Sequence, residues 1–148
     1  MSCYLSTSCF RGIKIDEAIK NCGNLSNKFV EISAPHPYET IDNLKKIFQK
    51  FINEGYSFTF HNYFPTPVKS FVLNIASDEL ETQRLCQEMF NSVLELSPYA
   101  KNKIYGVHAG YLSKAEADDT GRFHFENKTL GYEKSLKLAT SFVNKISK

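Results

Sequence analysis

Two histidines of this chain follow apolar, β-rich segments and precede residues that favour turns. His61 lies in the segment FTFHNYFP (58–65) and His108 in the segment IYGVHAG (104–110). Neutral imidazole is a common ligand of divalent metal ions and also a frequent general acid or base. Two imidazoles at neighbouring strand ends could therefore share one metal ion or one substrate. The alternative is that each histidine is hydrogen-bonded scaffolding.

Two further polar residues accompany an earlier apolar segment. Glu31 lies near the end of the β-rich segment 29–33, and His36 follows shortly after it. A carboxylate at such a position can act as a general base or accept a hydrogen bond from a substrate hydroxyl. We therefore expect Glu31 and His36 to bind substrate, although Glu31 could instead be a solvated or lysine-paired charge. Asn62 should point away from His61 and is assigned to the turn. No catalytic residue is identified.

The elements that must position these residues alternate between strands and helices. Apolar stripes predict helices from Asp16, Thr40, Ser77 or Asp78, and about Leu130. The β-rich runs predict strands at 3–8, 29–33, 56–63 and 104–108, and the segment 112–128 is predicted to be a polar loop. This alternation predicts four βα units in one α/β domain over residues 1–148, with a parallel sheet. Right-handed crossovers would place the carboxyl ends of all strands at one edge.

Composition excludes several classes of function. The net charge of +2 and the scattered basic residues give no footprint for nucleic acid, and no nucleic acid partner is expected. No apolar run approaches the roughly 18 residues of a membrane span, so no membrane partner is expected either. The 4 cysteines form no C-x-x-C pair and no export signal precedes them, which favours reduced thiols in a cytoplasmic protein.

Several segments carry a resemblance to a known family. HNYFP (61–65), FVLNIAS (71–77) and GVHAGY (106–111) resemble the N-terminal half of the xylose isomerase-like TIM-barrel superfamily, over most of residues 3–112. That superfamily contains sugar phosphate isomerases and epimerases and the endonuclease IV enzymes. The resemblance implies a parallel (βα)4 half of a TIM (β/α)8 barrel. It also implies metal-assisted proton transfer on a small-molecule sugar or sugar phosphate.

The same resemblance implies a metal site. Histidines in these two contexts are metal ligands in the endonuclease-like members, which makes His61 and His108 the expected ligands of a divalent ion such as Zn, Mn, Mg or Co. In many sugar epimerases the metal ligands and catalytic glutamates come from later strands. A full barrel takes about 250 residues, so we expect this chain to be truncated before those strands, and its activity as an enzyme stays open.

Two alternatives remain. One is an endonuclease IV-like metal-dependent hydrolase of abasic DNA, which would need a basic groove for phosphate contacts. The other is a non-catalytic half-barrel that acts by assembly. A four-stranded sheet cut from a barrel would leave an apolar inner face and two strand edges open. We therefore expect a homo-oligomer or a complex with a complementing half-barrel.

Overall fold

The computed structural model describes residues 3–118 and 122–146. These residues form two compact units. The first unit contains residues 3–68 together with Asn91–Val107. The second unit contains Lys69–Phe90 together with the described residues from His108 onward.

The first unit is built on a parallel sheet. Its strands are β1 (Leu5–Ser6), β2 (Phe29–Ile32), β3 (Ser57–His61) and β4 (Ala100–Gly106). They lie side by side in the order β1-β2-β3-β4, and every neighbouring pair is parallel. This confirms the predicted α/β class with a parallel sheet. The first strand is shorter than predicted because a 3-10 helix takes over at Thr7. The last strand begins earlier than predicted and ends before His108.

Four helices were predicted and four are present among the described residues. They are α1 (Ile15–Asn24), α2 (Ile41–Asn53), α3 (Leu80–Leu96) and α4 (Tyr132–Ile146). The predicted start of α2 is confirmed, because Thr40 Oγ1 accepts a hydrogen bond from the backbone N–H of Asn43 at 3.3 Å. Leu44, Phe48 and Phe51 form the buried side of this helix.

The core of the first unit lies on one face of the sheet. Val30 and Ile32 of β2 and Phe58 and Phe60 of β3 are buried in one cluster with the apolar sides of α1 and α2. At its centre, the ring of Phe48 lies 5.1 Å from that of Phe58 and 5.3 Å from that of Phe60, measured between centroids. Because side chains alternate along a strand, the intervening residues belong to the opposite face.

The opposite face is mainly polar. The register pairs Ser6 with Glu31 and Glu31 with Thr59, which places these three side chains on the face away from the core. His61 follows Thr59 at the next position of that face. The expected apolar inner face is therefore wrong for the described strands. Polar residues at alternate positions of β2 and β3 were already visible in the sequence.

The second unit contains a β-hairpin that corrects the predicted polar loop. β5 (Ser113–Ala117) and β6 (Phe123–Thr129) form an antiparallel sheet in which Ala115 pairs with Phe125. The ring of Tyr111 packs edge-on against Phe125 with 5.0 Å between centroids. The alternating aromatics of β6 were the available signal, and the polar composition of the segment concealed it. Residues 119–121, between the two strands, lie outside the described residues.

The apolar residues that the sequence pattern places at helical spacing in α4 are Tyr132, Leu136, Ala139, Val143 and Ile146, and three of these five are exposed. Tyr132, Leu136 and Val143 are 64%, 48% and 47% exposed. The helix buries Ser135 and Phe142 instead, and the Phe142 ring packs edge-on against Phe90 at 5.3 Å. Both sides of the helix carry apolar residues, so periodicity alone cannot choose between them.

The sequence pattern predicts that the buried side of α3 carries Leu80, Cys86, Met89, Phe90, Val93 and Leu94, and two of these six residues are not buried. Leu80 and Leu94 are exposed. The remaining members of the predicted stripe are buried, namely Cys86, Met89, Phe90 and Val93. The core side of this helix is therefore narrower than the sequence pattern suggests.

Candidate functional site

Four residues of the first unit lie in a row at the carboxyl ends of the parallel strands. Thr7 follows β1, Ser33 follows β2, His61 ends β3 and Gly106 ends β4. His61 and Gly106 are register partners. Ser33 directly follows Ile32, whose register partner is Phe60. We call these four residues the strand-end row. In barrels of parallel strands, the carboxyl ends are the positions at which ligands bind.

The hydroxyl of Thr7 holds the backbone of Ser33. Thr7 is fully buried, and its Oγ1 donates to the carbonyl oxygen of Ser33 at 3.1 Å. Oγ1 of Thr7 also accepts a hydrogen bond from the backbone N–H of Ser33 at 3.0 Å. One side chain therefore satisfies both backbone groups of Ser33 at a point where β1 has already ended. Buried backbone groups without such a partner would be costly.

Ser33 in turn holds the ring of His61. Its side-chain Oγ lies 3.4 Å from Nδ1 of His61, and the tautomer of the ring decides which atom donates. Ser33 itself is buried and its backbone is fixed by Thr7. The contact therefore restrains the Nδ1 edge of the imidazole, because the backbone that carries the Ser33 hydroxyl is itself held in place.

Gly106 provides the space for that ring. A Cβ built on Gly106 would stand 2.6 Å from Cδ2 of His61 and 3.5 Å from its Nε2. Gly106 is not among the glycines with a positive φ, so its backbone would accept another residue. The absence of a side chain at this position serves the packing of His61.

Glu31 shares the polar face with the strand-end row. It is half-buried and pairs in register with Thr59, whose Oγ1 donates to the carbonyl of Ile104 at 3.4 Å. Glu31 thus lies on the strand next to that of His61, level with Thr59, two residues before His61. The structure brings Glu31 and His61 to the same face of the same unit.

His36 is a buried, neutral acceptor. Its Nδ1 lies 2.9 Å from the carbonyl oxygen of Ile13, so Nδ1 carries the proton and donates it. Burial lowers the pKa of His36 below its ordinary value of 6.5, against the opposing effect of this hydrogen bond. Within the described ranges, Nε2 of His36 is buried and has no hydrogen-bond partner. The lowered pKa favours the neutral form of the ring, and the lone pair of Nε2 is enclosed in the first unit.

Asn62 lies in the turn that follows β3, as the sequence predicted, and its side chain is buried. In the part of the chain that the structure describes, neither its Oδ1 nor its Nδ2 has a hydrogen-bond partner. Buried amides are rarely left in this state, and each case calls for a structural or functional reason. In the sequence, the position of Asn62 next to His61 was the only feature that drew attention to it.

His108 is placed differently from His61. It is exposed and lies two positions beyond the end of β4, in the segment that leads to β5. His61 belongs to the first unit and His108 to the second. Their shared site therefore stays a prediction.

The donors of the first unit alone do not make a complete metal site. Over residues 3–118 and 122–146, no group of three or more His, Cys, Asp or Glu side chains is arranged to hold a metal ion. A catalytic zinc ion needs about three protein ligands. His61 would therefore need donors from elsewhere.

Comparison of the chain with protein-family models, with curated proteins and with solved structures gave no match. None of the helices in the described ranges combines the length and apolar composition of a membrane span. The geometry of the two units and the sequence motifs are therefore the observations from which a function can be inferred.

Proposed function

We propose that the chain forms the first (βα)4 part of a TIM-type barrel of the xylose isomerase-like kind. In this proposal it acts, in the cytoplasm, as a sugar phosphate isomerase/epimerase-like protein. The observation that carries the proposal is the strand order of the first unit. Its strands follow one another in chain order, and α1 and α2 pack in one core cluster on one face. A doubly wound sheet would reverse its order at a switch point and carry helices on both faces.

The polar face of the sheet favours a substrate that is rich in hydroxyl groups. Glu31 and His61 lie on the face that would line the barrel, and His61 stands at the carboxyl end. A carboxylate accepts hydrogen bonds from sugar hydroxyls, and an imidazole can either donate or accept. The near-neutral charge of +2 is less suited to a DNA backbone. A sugar or sugar phosphate is therefore favoured over abasic DNA.

Each residue has a defined task in this proposal. His61, oriented by Ser33 and Gly106, would hold a divalent ion such as Zn, Mn, Mg or Co together with His108. A bound ion of this kind supplies Lewis-acid polarisation of a substrate oxygen. Glu31 accepts a substrate hydroxyl, and His36 is the second residue that we propose to bind substrate. The group that moves the proton is not identified in this chain.

The metal part of the proposal is tested by titrating the purified chain with Co²⁺ and by elemental analysis. The wild type should bind the ion, and His61→Ala and His108→Ala should each weaken binding by about tenfold or more. His124→Ala is the matched control, because this exposed imidazole is paired with Asp118 on the hairpin. Failure of the wild type to bind any divalent ion at saturation would end the shared-ligand proposal.

A second candidate function is assembly with another copy of the chain. The exposed apolar residues of α4, Tyr132, Leu136 and Val143, recur at intervals of four and seven residues along one side of the helix. Such a side is typical of helices that pack against a partner. Light scattering should then show a dimer, which Leu136→Lys with Val143→Lys should dissociate. A monodisperse wild-type monomer would contradict this candidate.

A further inference from the structure

Asn74 is the most densely hydrogen-bonded side chain of the second unit among the bonds that the structure describes. It is buried in the non-helical segment that precedes α3. Its Oδ1 accepts from the backbone N–H of Tyr111 at 2.9 Å and from that of Ala76 at 3.2 Å. Its Nδ2 donates to the carbonyl oxygens of Tyr111 at 3.2 Å and Ser113 at 3.4 Å. We call these contacts the Asn74 clamp.

The clamp replaces a strand partner for Tyr111. Both the N–H and the carbonyl of Tyr111 are bonded to the same side-chain amide. An asparagine amide presents one acceptor and two donors, and this pattern matches the edge of a peptide group. The segment that enters β5 is thus held before the regular hairpin begins.

Gly110 allows the clamp to close. Its φ of +114° lies in a region that L side chains rarely adopt. A Cβ at this position would overlap Oδ1 of Asn74 and stand 3.1 Å from the N–H nitrogen of Ala76. Backbone conformation and space therefore both require glycine here.

We propose that Asn74 is a positioning residue for His108. The inference rests on the proposed function, in which His108 is a ligand. His108 lies only two positions before Gly110, and the clamp fixes the chain at Gly110 and Tyr111. An exposed connecting segment without such a tie would sample many conformations. Asn74 thus limits the space that the His108 imidazole can reach.

The clamp also joins two of the motifs found in the sequence. Asn74 belongs to FVLNIAS (71–77), and its partner Tyr111 ends GVHAGY (106–111). These segments are 37 positions apart in the chain at the contact. A role limited to anchoring β5 would need the clamp but would not depend on His108. The test must therefore report on the His108 ring itself.

The experiment compares Asn74→Ala with the wild type and with Asn127→Ala. Asn127 is an exposed residue of β6 and serves as the control within the same unit. Hydrogen exchange is measured at the Tyr111 amide, and the His108 ring is observed by ¹H–¹⁵N NMR. In Asn74→Ala, exchange should accelerate by about tenfold or more, as expected when a local structure opens. The His108 ring signals should move towards those of an unstructured peptide, and Asn127→Ala should change neither.

Affinity for Co²⁺ provides the link to the proposed function. Loss of a residue that orients a ligand costs about 10–100-fold in metal affinity, and Asn74→Ala should show a loss of this size. If the wild type binds no Co²⁺, the proposed function fails, whereas the His108 signals still decide whether Asn74 positions that ring. Unchanged His108 signals in folded Asn74→Ala would overturn the positioning role, even if Tyr111 exchanged faster. Should Asn74→Ala not fold, Asn74→Asp, which keeps Oδ1 and loses both donors, is judged by the same criteria.

Discussion

The imidazole of His61 fills the space in which a side chain on Gly106 would stand. Ser33, which directly follows β2, restrains the same ring through its contact with Nδ1. Gly106 and Ser33 therefore both contribute to the orientation of His61, from the carboxyl ends of two different strands. Neither of these two residues carries a charge, so they act through shape and hydrogen bonding.

The first prediction concerns Gly106→Ala. The added methyl group should displace the ring and lower the free energy of unfolding by about 1–3 kcal/mol, the usual cost of overpacking. Urea unfolding measures this cost, and NMR of the His61 ring reports its displacement. In a His61→Ala background the same substitution should cost much less, because the clash is gone. An equal cost in both backgrounds would show that the ring is not what Gly106 accommodates.

The second prediction concerns the hydroxyl of Thr7. Thr7→Val keeps the shape of the side chain but leaves the N–H and carbonyl of Ser33 without their partner. A buried polar group left without a hydrogen bond costs about 1–3 kcal/mol, and urea unfolding should show a loss of at least this size. Thr7→Ser retains the hydroxyl and should lose less. If the two variants were equally stable, the hydrogen bonds of Thr7 would contribute nothing.

The third prediction concerns pH and His36. Burial lowers the pKa of His36 in the folded state below the value of 6.5 that applies to the unfolded chain. As the pH falls below 6.5, the unfolded state therefore takes up a proton more readily, and the free energy of unfolding decreases. The decrease stops once the pH is below the folded-state pKa. Above 6.5 both states are neutral, and His36 contributes no pH dependence.

The substitution that checks the effect of His36 is His36→Asn, which keeps a donor for the carbonyl of Ile13. Unfolding in urea is measured at a series of pH values for this variant and the wild type. The variant should lose less stability on acidification than the wild type. Parallel curves for His36→Asn and the wild type would contradict the buried neutral state.

The fourth prediction concerns Asn62. Asn62→Leu replaces a buried amide, which has no hydrogen-bond partner among the described residues, by an apolar group of similar volume. Removing such an uncompensated group should leave the free energy of unfolding unchanged or raise it by up to about 1–3 kcal/mol. Asn62→Asp should lower it, because it buries a charge. A clear loss of stability in Asn62→Leu would show that the amide has a partner in solution.

Local patterns predicted much of the first unit from the sequence. The alternating residues of β3 located His61 at its end, and Thr40 marked the start of α2. β4 was predicted at 104–108 but lies at Ala100–Gly106. The polar residues 101–103 hide its first half from a search for apolar, β-rich residues. Its pairing with β3 is also irregular between Phe58 and Phe60, and a sequence pattern contains no information about pairing.

Tertiary contacts account for the other errors. Both sides of α4 carry apolar residues, and the side that contains Phe142 is buried because Phe90 packs against it. No local pattern contains that information. The role of Asn74 was likewise hidden, because its principal partner Tyr111 is far along the chain. Glu31 and His36 were selected because one lies near the end of a predicted strand and the other follows it, but their different burial depends on the packed structure.

β4 is the last strand in the order of the parallel sheet, and its only ladder partner among the described strands is β3. Its backbone departs from regular pairing, Lys103 has a φ of 50°, and both Lys101 and Lys103 are exposed. An irregular, positively charged edge strand is a poor template for pairing with a strand of another molecule. We therefore expect the lysines and the irregular pairing to disfavour edge-to-edge pairing between molecules, which a flat, apolar edge would favour.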